Sequence, residues 1–145
     1  MRVAVEECSC GLALEDREGQ AYNEEAFRHF LAIERKRSER ASRSFMLLLV
    51  RLRKQPGGSA TFTSGVAARV FSGLALCVRE VDFVGWYRAE RVAAAVLIQG
   101  VGTPEPDASR RIGERVTEIL DKHLSPHVAE RLHVRVLQLC QRPKS

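Results

Sequence analysis

The stretch "SFMLLLVRL", Ser44 to Leu52, constrains this chain more than any other. Its apolar residues follow one another without alternation, so a strand built from them has to be covered on both faces. That places it in the middle of a sheet. The run falls far short of the roughly 18 residues a membrane-spanning helix needs. A chain of 145 residues has the length of one domain with a core of its own. The N-terminus, "MRVAVEECSCGLALED", carries acids where a secretory signal needs an apolar run, so a cytoplasmic protein without a membrane span is expected.

The segments on either side supply the covering. Residues 1–20 show no sustained period and read as an N-terminal arm. Asn23 is an N-cap, with Glu24 and Glu25 in the first turn and an apolar stripe at Phe27, Phe30 and Leu31; this helix runs to about Ser42. After the central strand, Pro56-Gly57-Gly58 forms a turn. Ser64 then caps a helix whose face holds Val66, Val70, Leu74, Cys77 and Val78. Phe83–Tyr87 and Val92–Ile98 make a hairpin around "RAER", and a loop with Pro104 and Pro106 follows. Asp107 caps a helix with the stripe Ile112, Val116, Ile119, Leu120 and His123. "RLHVRVLQL" alternates as a half-exposed strand. The last six elements run β-α-β-β-α-β. The fold class is therefore α+β and ferredoxin-like: an antiparallel sheet with helices on one face and an extra N-terminal helix. The domain spans 21–141, and 142–145 form a tail.

Arginine supplies most of the positive charge in a chain of net charge +5, because lysine occurs only at 36, 54, 122 and 144. Its planar fork suits phosphates, guanine edges and carboxylates. The densest charged run, "ERKRSERASR" from Glu34, interleaves both signs at helical spacing and reads as the outer face of a helix. No nucleic-acid partner is expected from it. Cys8 and Cys10 form a C-x-C, Cys77 lies on an apolar helix face and Cys140 is near the C-terminus. No C-x-x-C or histidine at ligand spacing joins them, so neither a zinc site nor any other cofactor is expected, and a cytoplasmic location argues against disulfides. His29, His123, His127 and His133 are scattered and read as structural or surface residues.

Four places in order resemble the GGDEF domain of bacterial diguanylate cyclases, whose nucleotide-cyclase palm has this order of elements. "DREGQAYNEEAF" is similar to the motif D-x-L-T-G-L-x-N-R-R-x-F at Asp16, Asn23 and Phe27. "FMLLLVRLRK" resembles the first strand, which ends D-x-D-x-F-K in the family. "REVDFVGWY" resembles the R-x-x-D run leading into the hairpin, and "RAERV", Arg88 to Val92, falls in the place of G-G-D-E-F.

The departures bear on chemistry. The resemblance implies carboxylates on the first strand and at the hairpin that hold two magnesium ions, which need oxygen ligands. Arg51 and Arg53 occupy the two aspartate positions. Unit charges 4 Å apart interact by about 4 kcal/mol at an effective dielectric of ~20, and roughly twice that for a dication. Two attractions have become repulsions. Arg88 and Ala89 replace glycines that bring the turn backbone close to the nucleotide, Glu90 keeps an acid, and Arg91 replaces the next one. A degenerate domain without cyclase activity follows.

What the resemblance leaves in place is the R-x-x-D pair, Arg79 and Asp82, which in the family binds the product, cyclic di-GMP. A guanidinium can grip guanine O6 and N7 or a phosphate, and a carboxylate can accept from the ring N–H and amino group. The family adds an arginine from the helix after the hairpin; by spacing this is Arg110, with Arg111 as second choice. The expected function is a cyclic di-GMP receptor whose ligand biases contact with a second copy or with a protein of exopolysaccharide production or signalling. Two other readings stay open. Arg79 at a helix C-terminus also suits the dipole there, and Asp82 can simply pair with it, which fits a ligand-independent adaptor. Arg51, Arg53 and Arg88 could hold a triphosphate without metal, as residual nucleotide chemistry. Trp86 and Tyr87 either stack on a base or send one ring into the core.

Overall fold

The computed structural model describes residues 21–54, 59–101 and 106–140. The arm of residues 1–20 with Asp16, Cys8 and Cys10, the turn at Pro56-Gly57-Gly58, Pro104 and the tail from 142 lie outside them.

Helix α1, Glu24–Ala41, starts where the Asn23 side chain accepts from the Ala26 N–H at 2.9 Å, and stops at Ser42, whose φ of 53° is left-handed. Strand β1, Arg43–Leu52, follows. Helix α2, Ser64–Ala75, is capped by Thr63 rather than Ser64: the Thr63 hydroxyl accepts from the Val66 N–H at 3.2 Å, which makes Ser64 the first helical residue. The helix also ends earlier than its apolar spacing suggests. Cys77 and Val78 pack on the core from the turn beyond it. Strands β2, Phe83–Arg88, and β3, Val92–Val101, form the hairpin. Helix α3, Ala108–His123, has Asp107 at its N-cap position, but with φ −97° and ψ 7° the residue is not extended and makes no capping bond. A short helix, α4, Pro126–Ala129, was not foreseen; Ser125 caps it and Pro126 opens it. Strand β4, Leu132–Cys140, closes the described chain. Among the described residues no helix is long and apolar enough to cross a membrane.

The sheet is antiparallel, with strand order β2-β3-β1-β4, so the apolar β1 is indeed interior. Its even-numbered residues Met46, Leu48 and Val50 join Ala93, Ala95 and Leu97 under Val70, Phe71 and Leu74 of α2 and Val116 and Leu120 of α3. The odd-numbered Phe45 and Leu47 join Ala94 and Val96 under Phe27 and Leu31 of α1. The two helices of the split βαβ units thus share one face and the extra helix takes the other. Fully buried Phe27 anchors α1, and burial of such a ring contributes roughly 2–3 kcal/mol.

One turn further along α1, the inner stripe carries a charge. Glu34 and Ser38 are buried, so the mixed-charge run is not wholly an outer face. Glu34 accepts from Ser38 and pairs with Arg43 at 3.1 Å, tying the end of α1 to the start of β1.

The outer edge of β2 is covered. Tyr22 bridges Gly85 in parallel fashion, donating its N–H to the Val84 carbonyl and accepting from the Trp86 N–H. Only glycine fits there, since a Cβ at Gly85 would lie 2.6 Å from the Tyr22 carbonyl oxygen and 2.9 Å from Phe27.

Candidate functional site

Two places collect the residues singled out in the sequence: the turn between α2 and β2, and the end of the sheet beside the hairpin.

In the turn, the Asp82 N–H donates to the Arg79 carbonyl at 3.0 Å, which brings the two side chains onto each other. The Asp82 carboxylate then accepts four bonds from its own chain. Oδ2 takes the Arg79 N–H at 2.8 Å and Arg79 Nε at 3.1 Å; Oδ1 takes Arg79 Nη2 at 3.1 Å and the Ile98 N–H at 2.9 Å. Arg79 Nη2 also donates to the Ile98 carbonyl. Ile98 lies beyond the last β3 residue that β2 pairs, Val96 opposite Phe83. Its free N–H and carbonyl therefore find side-chain partners where strand partners have run out. Asp82's side chain is 1% exposed and Arg79's 62%. The hydrogen bonds that Arg79 donates to Asp82 hold the guanidinium protonated even more firmly than usual. Its Nη1 makes no hydrogen bond among the described residues.

The candidate third residue, Arg110, sits in the first turn of α3, where it pairs with Asp107 at 3.4 Å and Glu114 at 3.2 Å, all three exposed. Gly73 of α2 meets Leu120 and His123 of α3, and Arg69 donates to the His123 carbonyl. Arg115 lies close enough to act on the Cys77 thiol. This antiparallel register brings the N-terminal turn of α3, with Arg110 and Arg111, to the end of the molecule that holds the 79–82 turn. Arg110 also lines an open groove of about 760 Å³ between α3 and β4, with Glu114, Glu118, Asp121, Val134 and Val136.

At the sheet end, strand register does what spacing alone cannot show. Arg88 of β2 lies opposite Val92 of β3, Val92 opposite Arg51 of β1, and Arg51 opposite His133 of β4. Directly opposed residues share a face, so the four form one row across the whole sheet, on the side of α1. Arg53 is pinned just beyond: its N–H donates to the Arg131 carbonyl at 2.7 Å, and the Arg131 guanidinium returns to the Arg53 carbonyl and to that of Ser59. The hairpin turn closes through the Arg91 N–H on the Arg88 carbonyl, with Glu90 left-handed at φ 65°.

Helix α1 holds that turn through residues that sequence reasoning missed. Glu24 accepts from the Ala89 N–H at 2.7 Å, while Arg28 donates to the Tyr87 carbonyl at 3.0 Å and stacks on the Tyr87 ring, 4.6 Å from its centre. Trp86 packs on Phe62 and edge-on to Phe71, toward α2. Both rings in the Trp86/Tyr87 pair thus have protein partners.

A pair of magnesium ions does not fit this end. The two positions where the resemblance places carboxylates carry exposed guanidiniums. Among the described residues no group of three or more His, Cys, Asp or Glu is placed to hold a metal. The charge and the donor set both oppose a hard dication.

The fold has relatives of known structure. The chain is similar to the FimX GGDEF domain from Pseudomonas aeruginosa, with a TM-score of 0.62 at 16% identity over 90% of this chain and 83% of that one. It is similar to the diguanylate cyclase SiaD, solved in complex with its activator SiaC from the same organism: TM-score 0.59, 21% identity, 92% of this chain but 52% of that one. The coiled coil and GGDEF domain of DgcB from Caulobacter crescentus, in complex with c-di-GMP, gives a TM-score of 0.55 at 14% identity over 87% and 68% of the two chains. No family model and no curated protein matches the sequence. At identities this low the likeness carries the fold, and the fold is that of a GGDEF-like domain.

Proposed function

We propose that this GGDEF-like domain is catalytically inactive and serves as a receptor for cyclic di-GMP, with Arg79 as the group that touches the ligand. The observation that carries the reading is the state of that side chain. Asp82 and the Ile98 carbonyl hold its Nε and Nη2 in place while the guanidinium stays 62% exposed. A cation fixed in advance loses little freedom on binding. Asp82, with its oxygens already engaged, acts by positioning Arg79, and Arg110 adds a second cation once it leaves its exposed pairs with Asp107 and Glu114. A similar fold, in DgcB, binds c-di-GMP. The occupied receptor would change contacts with a protein partner or a second copy.

Inactivity rests on Arg51 and Arg53 standing where metal-binding carboxylates would have to be. Among the described residues no group of acids is placed to hold the metal that a phosphoryl transfer needs. Incubation with GTP and magnesium should yield no cyclic di-GMP; product would refute this part.

A second reading has its own support. Every acceptor position of Asp82 is spent inside the chain, as in a purely structural knot, and SiaD shows a similar fold in complex with a protein. The domain would then be a ligand-independent adaptor. Calorimetry with cyclic di-GMP separates the two. The receptor gives heat with the wild type, at least about tenfold weaker binding for Arg79→Ala and a smaller loss for Arg110→Ala. Absence of heat in the wild type leaves the adaptor.

A further inference from the structure

The two edges of the sheet are finished differently. At β2 the outer edge is occupied by Tyr22, which exchanges backbone hydrogen bonds with Val84 and Trp86. At β4 the outer edge has no strand beside it among the described residues, and there the backbone of residues 132–140 bonds only to β1. Proteins usually blunt such an edge with proline, lysine, a bulge or a short strand. Strand β4 is nine residues long, pairs with β1 without a break in register from Leu132 to Cys140, and contains neither proline nor lysine.

Beside this edge runs the open groove between β4 and α3. Half-buried Val134 and Val136 form its floor, and the exposed stripe Glu114, Glu118 and Asp121 of α3 forms its wall. Glu114 pairs with Arg110, while Glu118 and Asp121 form no ion pair among the described residues. In a chain of net charge +5 this is a local reversal of sign.

We propose that the β4 edge and this groove receive an extended segment of another protein, added beside β4 as a further strand, in which basic residues alternate with apolar ones. Docking there needs neither Arg79 nor cyclic di-GMP.

An added strand shares the two-residue alternation of β4. On one face its residues continue the row of Val134 and Val136, which lie opposite Val50 and Leu48 on the side of α2 and α3. Long basic side chains on that face meet Glu118 and Asp121. On the other face they continue the row of Arg135, Leu137 and Leu139, where both leucines are half-buried against the core under α1. Apolar residues extend those leucines, and the exposed Arg135 disfavours another cation beside it. The spacings agree. Glu114 to Asp121 covers about 10 Å of helix, and alternate strand residues recur about every 7 Å, so two or three basic residues cover the stripe. A second copy fits less well, because pairing two β4 edges sets one acidic stripe beside the other. The same charge repels a nucleic-acid strand.

The probe is a fluorescent peptide as long as β4, with lysine and valine alternating, added to the full chain and followed by anisotropy. It should bind the wild type, and less tightly as salt is raised. Glu118→Gln and Asp121→Asn should each weaken binding about two- to fivefold, and together about tenfold. Both residues are exposed, so unchanged thermal melting of the variants confirms that they fold. N-methylation of alternate peptide nitrogens should, in one of the two registers, weaken binding at least about tenfold by removing ladder bonds. The bound peptide should slow hydrogen exchange at alternate amides of β4. A peptide of the same composition with its lysines in one block should bind more weakly, and glutamate in place of lysine should abolish binding. The proposal is overturned if the alternating peptide does not bind, if the block peptide binds as well, if the acid variants change nothing, or if exchange at β4 is unaltered. A dimer of the wild type that the peptide dissociates would assign the edge to a second copy, and would overturn it too.

Discussion

The turn at 79–82 and the sheet end at 51, 88 and 133 are both built around arginine, and they treat it in opposite ways. In the turn a buried carboxylate meets the guanidinium on two sides, and a stretch of β3 depends on the arrangement. At the sheet end Arg51, Arg53 and Arg88 are exposed and form no ion pair among the described residues. The contrast teaches where to look for fold. An arginine held by a buried carboxylate takes part in the fold, whereas an exposed one without an ion pair is satisfied by solvent and leaves the fold to its neighbours. In an exposed pair the Coulomb gain is screened and small, so it is Asp82's burial that makes the turn structural.

The sharpest way to break the comparison is Asp82→Ala. It strips partners from the part-buried Ile98 N–H and the exposed Arg79 N–H, and losing these charge-assisted bonds costs about 2 kcal/mol. Urea denaturation should show a loss of that order, a large share of the stability of a domain this size. A loss below about 0.5 kcal/mol would put the turn in the same class as an ordinary surface.

Arg79→Ala should cost less, roughly 1–1.5 kcal/mol, because the group is mostly solvated and Asp82 keeps its two backbone donors. The inequality between partners is what matters. Equal losses would mean that the ion pair, and not the backbone bonds, holds the turn.

At the sheet end the changes should be milder, and one should be favourable. Glu90 is left-handed, which costs a non-glycine residue about 1–2 kcal/mol. Glycine removes that strain but gives the unfolded chain more freedom. Glu90→Gly should therefore stabilise by somewhat under 1 kcal/mol, read as a raised urea midpoint with an unchanged slope. Arg51→Ala should move stability by no more than about 0.5 kcal/mol, since it removes no bond and relieves like-charge crowding. A clear destabilisation would reveal a structural role for this guanidinium.

How much of this was legible in the sequence follows from the range of each interaction. The unalternating run of β1 announced an interior strand, and the position of Asn23 before two acids announced where α1 begins. Thr63 and Ser64 offer the same hydroxyl one residue apart, and only the extended backbone at Thr63 selects it as the cap. A four-residue helix such as α4 is too short to show a period. Glu34 is instructive because its burial was readable: Phe27, Leu31, Glu34 and Ser38 fall on one helical face, yet the surrounding charges suggested solvent. Within the sites, Arg79 and Asp82 are three residues apart and could be paired by eye. Ile98, sixteen residues from Asp82, could not, because its part depends on where β2 stops pairing. The row Arg88, Val92, Arg51, His133 likewise exists only once three registers are fixed.

Cys77 offers the finest test of the contrast between a closed turn and an open sheet end. It follows α2 directly, with its thiol donating to the Gly73 carbonyl, and burial pushes the thiol pKa up, with Arg115 opposing only in part. Its folded pKa therefore exceeds the unfolded value of about 8.5. Any stability linked to this group is intact below that pH and erodes above it, because the unfolded chain releases its proton first. At pH 8 the thiol should react with iodoacetamide more slowly than a free cysteine, followed peptide by peptide in a mass spectrometer. Asp82→Ala should speed that reaction by loosening the turn, while Arg51→Ala should leave it alone. Equal acceleration by both variants would mean that the two regions open together and that the distinction between them is false.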